Sequence, residues 1–282
     1  MWLQKLFSKK VKEQRGLKWA VVGAVVATIA VNAYANIARL GGANTGEISA
    51  SYPNLFTPTG LTFSIWSVIY VLLLGYTVYQ FAAVRRKAGS RLDEGLFTAI
   101  NPWLLVSCAA NIGWMFAWHF RVIWLSMICM LVLLMSLAMV ARKLHTAFTK
   151  PTTRQDYLWV RLPIMVYVGW ISVATIANSF ALAVSLGWNG TGADAGGWLA
   201  FALIGGALIG LVAMWQQRDA AYGAVFVWAY GGIFIKHLAE NGYNGAYPSA
   251  IALLGVLVPV LASAVLYVFV GQWQLEAGKG RR

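Results

Sequence analysis

The chain has 282 residues, 60% of them apolar and 11% charged, with a net charge of +13 and a mean hydropathy of +0.65. Soluble domains carry about 25% charged residues, so this chain lacks the polar surface to stand in water, and its apolar residues come in long runs rather than amphipathic stripes. Lipid is the implied solvent, and the fold class expected is all-α, a polytopic bundle of transmembrane helices.

A hydrocarbon layer about 30 Å thick is crossed by roughly 20 apolar residues. In chain order, eight such runs occur: Leu17 to Ile37, Leu61 to Ala83, Phe97 to Trp118, Val122 to Val140, Leu158 to Leu186, Trp198 to Trp215, Ala221 to Ile235 and Pro248 to Val270. The seventh is short and interrupted by glycine. Before the first run, a basic head followed by Ala33-Tyr34-Ala35 mimics a cleavable signal peptide, but Asn32 and Asn36 suit a retained helix that faces other helices. Between the first two runs, Leu40 to Gly60 carries Pro53 and Pro58 and is long enough to fold over a bundle mouth. Gly187 to Gly197 is a glycine-rich outer tether that divides the chain into five helices plus three.

The basic residues cluster at alternate ends of these runs. All but Arg39, Arg121 and Lys236 of the 22 Lys and Arg residues fall before span one, in the even-numbered loops or at the C-terminus. The positive-inside rule then places both termini in the cytoplasm and requires an even number of spans. Such clusters anchor topology and meet anionic lipid, so the partner implied is the membrane and not nucleic acid. The expected organisation is a basic segment (1–16), a five-helix core (17–188), an outer loop (189–197), a three-helix extension (198–272) and a basic tail (273–282). Cys108 and Cys129 lie inside spans, and no His/Cys cluster has metal-ligand spacing.

Fourteen tryptophans invite an interfacial belt, which Trp103, Trp124, Trp159, Trp188, Trp198, Trp215 and Trp273 fit by position. Trp66, Trp114, Trp118 and Trp170 differ because they share their spans with polar side chains. Trp66 and Tyr70 lie four apart and so on one helix face. Asn111, Trp114 and Trp118 form a second stripe. Trp170, Ala174 and Asn178 form a third. An unpaired amide in hydrocarbon costs several kcal/mol, so Asn111 and Asn178 should point inward, either to a ligand or simply from helix to helix. Near the outer end of span seven, Lys236 and Glu240 sit one helical turn apart and are expected to pair.

These stripes resemble a family. Pro58 to Tyr70, ending Ile-Trp-Ser-Val-Ile-Tyr, is similar to the second-helix motif of the TspO/MBR family, the tryptophan-rich sensory or translocator proteins. Asn111-Ile-Gly-Trp114 resembles its third-helix motif, and Trp170, Ala174 and Asn178 resemble its fifth. Thr57 and Ser64 stand where the family has prolines, and Pro163 comes three residues early. The likeness covers 17–188, the five-helix TspO-like core, and leaves the last three spans unaccounted for. It implies a pocket in the bundle, roofed by the first outer loop, for a flat hydrophobic ligand such as a porphyrin, a haem-like tetrapyrrole or a sterol-like lipid. The lining it implies is Pro58, Trp66, Tyr70, Asn111, Trp114, Trp118, Trp170, Ala174 and Asn178.

The function expected is therefore a non-enzymatic sensor-like binding protein with no obligatory cofactor, in a membrane for which a bacterial inner membrane is the simplest home. The alternative is a small-molecule transporter using the intramembrane asparagines and the Lys236/Glu240 pair. Breakdown of a bound tetrapyrrole has no acid/base pair, nucleophile or metal site to support it. A homodimer is a further expectation from the family, and the small-residue face Gly205, Gly206, Ala207 and Gly210 could pack against another helix.

Overall fold

A computed structural model describes residues 2–83, 92–148 and 153–279. Arg85, Arg86, Lys87, Arg91, Lys150, Arg281 and Arg282 lie outside the described residues, as do the side chains of Lys5, Lys9, Lys10, Trp273 and Lys279. The described residues form helices and loops with no strand among them. The elements are α1 (Trp2–Ile37), α2 (Thr45–Ala50), α3 (Ile65–Ala82), α4 (Glu94–His119), α5 (Ile123–Ala147), α6 (Arg154–Asp156), α7 (Leu162–Ser185), α8 (Ala195–Gln217), α9 (Ala220–Leu238) and α10 (Pro248–Lys279).

Local chemistry sets the boundaries. Asn44 accepts from the Glu47 N–H while Glu47 accepts from the Asn44 N–H, a reciprocal cap that starts α2 in the outer loop. Asp93 caps α4 and Asp219 caps α9. Between α6 and α7 the chain makes a π turn over Tyr157–Arg161, and Pro163 follows at the start of α7. Proline has no N–H to give to the carbonyl four residues back, so the wider turn falls where regular α pairing could not continue.

Five helices close a ring in the order α3, α1, α4, α5, α7 and back to α3. The last three stand against the α7 side, with α9 between α7, α8 and α10. Among the described residues, seven helices are long and apolar enough to cross a membrane, and α9 is not one of them. It crosses the bundle nonetheless. Asp219 at its start meets Arg161 before α7, and His237 at its end meets Leu55 in the outer loop. Nineteen residues at about 1.5 Å each span about 28 Å. Being wrapped by protein, α9 can keep the glycines and polar residues that lower its hydropathy.

Lipid tails compete for apolar contact, so helix association here rests on close packing and hydrogen bonds. A Cβ on Gly206 would come within 2.5 Å of the Tyr230 hydroxyl, and one on Gly210 within 2.9 Å of the Phe226 ring. The small-residue face considered for a dimer is thus used within the chain, letting α9 approach α8. At the opposite end from the outer loop, the buried Arg161 Nε donates to Asp219 Oδ2 at 2.7 Å, and its Nη2 donates to the Gln217 carbonyl. That cluster ties the last three helices to the ring. Lys18 and Glu94 join α1 to α4 at the same end, 2.8 Å apart.

Candidate functional site

The interior of the ring is filled by aromatic side chains stacked on one another. The Trp66 ring lies near-parallel to Tyr70 (5.6 Å between centroids, 25°) and to Trp114 (5.9 Å, 29°), and Trp114 continues onto Trp118 (5.7 Å, 22°). Trp170 and Tyr167 meet Trp66 edge-on. The three stripes therefore converge, with aromatic faces engaged largely by each other.

The two asparagines bind protein. Asn111 Oδ1 accepts from Asn32 Nδ2 at 2.8 Å, and Asn111 Nδ2 donates to the Tyr167 hydroxyl at 2.9 Å, which links α1, α4 and α7. Asn178 Oδ1 accepts from Trp114 Nε1, and the Asn178 amide also pairs with Ser126 on α5, each at 3.2 Å. Trp118 Nε1 donates to the Thr45 carbonyl, tying α4 to the outer loop. Of the two roles open to these residues, the helix-to-helix one is what the geometry displays.

A cavity of about 640 Å³ lies on the α1–α3 side of this stack, beneath α2 and the loop around Pro58. Ile29, Asn32 and Asn36 of α1 line one wall, and Phe63, Trp66 and Tyr70 form the other. Ala33, Ile37 and Ser67 are lining residues that are also exposed, so the cavity opens sideways between α1 and α3, toward lipid. Ile29 is eight residues from the end of α1, so the space reaches about 12 Å into the membrane. Of the nine residues implied by the family likeness, Pro58, Trp66 and Tyr70 line it. Asn111, Trp114, Trp118, Trp170, Ala174 and Asn178 do not, and Trp114, Trp118 and Trp170 belong to the stack that includes Trp66.

Two polar atoms at the cavity wall are buried without a hydrogen-bond partner among the described residues, Trp66 Nε1 and Tyr70 Oη. Trp170 Nε1 is a third such atom, behind Trp66. Native interiors leave few of these groups unpaired, and each costs about 1–3 kcal/mol. Glu47, the carboxylate among the lining residues, is already held, 2.6 Å from Arg39 Nη2 and 3.0 Å from the Asn44 N–H.

The extension reaches this site. Trp228 Nε1 donates to the Thr62 carbonyl at 2.9 Å, and the Thr59 N–H donates to the Gly232 carbonyl at 3.2 Å. His237 Nε2 donates to the Leu55 carbonyl at 3.0 Å and the Tyr243 hydroxyl to that of Asn54 at 2.7 Å. Burial pushes the Tyr243 phenol up to about 12, so it stays a donor at neutral pH. The roof of the cavity is thus clamped by α9 and the turn after it. The expected Lys236–Glu240 pair is corrected by the same region: α9 ends at Leu238, Ala239 turns extended (ψ 140), and Glu240 leaves the helix face on which it would have met Lys236. Lys236 instead lines the cavity. Sequence reasoning missed its place there, because only the fold brings residue 236 to residue 58.

A five-helix ring roofed by an outer loop, with tryptophan-rich walls, defines a membrane protein of the sensor or binding type. The sequence pattern of the TSPO-like protein family matches residues 18–269, and the chain belongs to that family. The match runs through the last three helices as well, beyond the 17–188 covered by the motifs. No curated protein and no solved structure matches the chain.

Proposed function

We propose that the chain binds a flat, predominantly apolar molecule, a tetrapyrrole of the porphyrin class or a sterol-like lipid, in the cavity between α1 and α3, and acts as a sensor rather than a catalyst. The observation that carries this reading is the cavity itself. Its volume of about 640 Å³ falls within the range of about 300–1,000 Å³ usual for small-molecule sites, and its walls are mainly apolar with a few polar groups. Trp66 and Tyr70 line it with aromatic surface, while their Nε1 and Oη are buried without a hydrogen-bond partner among the described residues. The sideways opening gives a lipid-dissolved ligand a route in. Because Glu47 is committed to Arg39 and Asn44, the lining offers contacts rather than a paired acid and base.

Titration of the purified protein with protoporphyrin IX, followed by quenching of tryptophan fluorescence, tests the reading. Saturable quenching is expected, with affinity about fivefold weaker in Trp66→Ala, since an aromatic contact contributes about 1 kcal/mol. Absence of saturable quenching, or equal affinity in the variant, would overturn it. The transport alternative has less support, because the asparagines it invoked are engaged between helices and its Lys236–Glu240 pair is not formed.

A further inference from the structure

Three basic residues stand at the outer end, against the positive-inside pattern. Two are accounted for. Arg39 pairs with Glu47 at 2.6 Å, and Arg121 Nη1 donates to the Gly41 carbonyl at 3.1 Å. Lys236 is the third. No carboxylate lies within 4 Å of its ammonium group among the described residues, and its nearest recorded electrostatic contact is the Tyr243 ring, 5.9 Å to the centroid. Tyr243 is itself fixed by its hydroxyl bond to the loop, so the ring beside the lysine is part of the roof clamp. It is half-buried, it lines the cavity, and it comes from α9 while the rest of the lining comes from α1 to α4.

We propose that Lys236 is the anion subsite of this cavity, and that the ligand class is a flat hydrophobic molecule bearing a carboxylate. The proposal rests on the reading of the cavity as a ligand site and adds the chemistry and orientation of what fills it. The apolar body lies between α1 and α3 against Phe63, Trp66 and Tyr70, and the carboxylate lies at the outer end. The uncommitted charged group there is the Lys236 ammonium, which favours an acceptor. A charged hydrogen bond in a partly water-excluded site is among the stronger polar contacts. A lysine near the outer membrane face without a carboxylate partner among the described residues is explained if the partner arrives with the ligand. This also gives the extension a role in the site, since the ligand would bridge the five-helix ring and α9.

The test compares protoporphyrin IX, which has two carboxylates, with its dimethyl ester, which has none, against the native chain, Lys236→Gln and Lys236→Arg. The native chain should bind the diacid at least about tenfold more tightly than the ester. Lys236→Gln should lose that preference while binding the ester as the native chain does, which also shows that the variant is folded. Lys236→Arg should recover most of the preference. Ester and diacid binding alike in the native chain, or a diacid preference that survives in Lys236→Gln, would overturn the subsite and leave the binding reading standing. Failure of both compounds to bind the native chain would overturn both.

Discussion

Asn111 shows how a residue chosen by its spacing can serve the fold. Its amide spends one side on Asn32 and the other on Tyr167, joining three helices of the ring. Replacing it with alanine removes the donor to the Tyr167 hydroxyl and one of the two acceptors of Asn32 Nδ2, which keeps the Thr28 carbonyl, and hydrogen bonds inside membranes contribute about 0.6–2 kcal/mol each. Asn111→Ala should lower the thermal unfolding midpoint in detergent while the folded fraction keeps its porphyrin affinity. Lost affinity with an unchanged midpoint would return Asn111 to the ligand site. At this scale the sequence was informative about which residues face inward, because polar atoms in an apolar run have to be satisfied by protein. It was silent on what satisfies them. Trp66 and Trp114 carry similar signals in the sequence, yet one borders the cavity and the other is sealed behind it, and that difference is made by α1.

The roof loop and α9 form the mechanical unit at the next scale. Gly232 permits it: a Cβ there would overlap the Thr62 hydroxyl, and its carbonyl receives the Thr59 N–H. Gly232→Ala should push the loop off α9, breaking that bond and the one from Trp228. Expected results are faster proteolysis within 53–62 and weaker porphyrin binding, both restored by adding Thr62→Gly, which removes the overlapping side chain. Unchanged cleavage and affinity in Gly232→Ala would show that the clamp is not needed to keep the roof down. The apolar stretches of the long helices were legible from hydropathy, because the bilayer sets a minimum apolar length, although α1, α5 and α10 run beyond them, from Trp2, to Ala147 and to Lys279. The end of α9 was not. Lys236 and Glu240 have the spacing of a helical pair, and the chain leaves the helix between them as it turns to place Tyr243 under the loop. Two glycines of α9, which made it look the least secure span, let it fit closely, Gly223 against α8 and α10 and Gly232 against the roof.

For the molecule as a whole, the question is which face of the membrane the cavity serves. The two ends of the bundle differ in character. One carries Lys18 with Glu94 and Arg161 with Asp219, together with Arg142, Lys143, Arg154 and Arg218, and the other carries the roof, the start of α5 and the turn after α9. Eight crossings would put both termini on one side, and the charge asymmetry predicts that side to be the cytoplasm. The cavity would then face the outer leaflet, with its opening between α1 and α3 as the route for a membrane-dissolved ligand. Single cysteines test this once Cys108 and Cys129 are replaced. A membrane-impermeant maleimide should label Ala193→Cys, in the exposed tether before α8, in intact cells, and Thr146→Cys, at the exposed end of α5, only after permeabilisation. The reverse pattern would place the roof in the cytoplasm and make the ligand one supplied from inside. Labelling of both in intact cells would overturn this topology, because residues 146 and 193 are separated by the single crossing of α7.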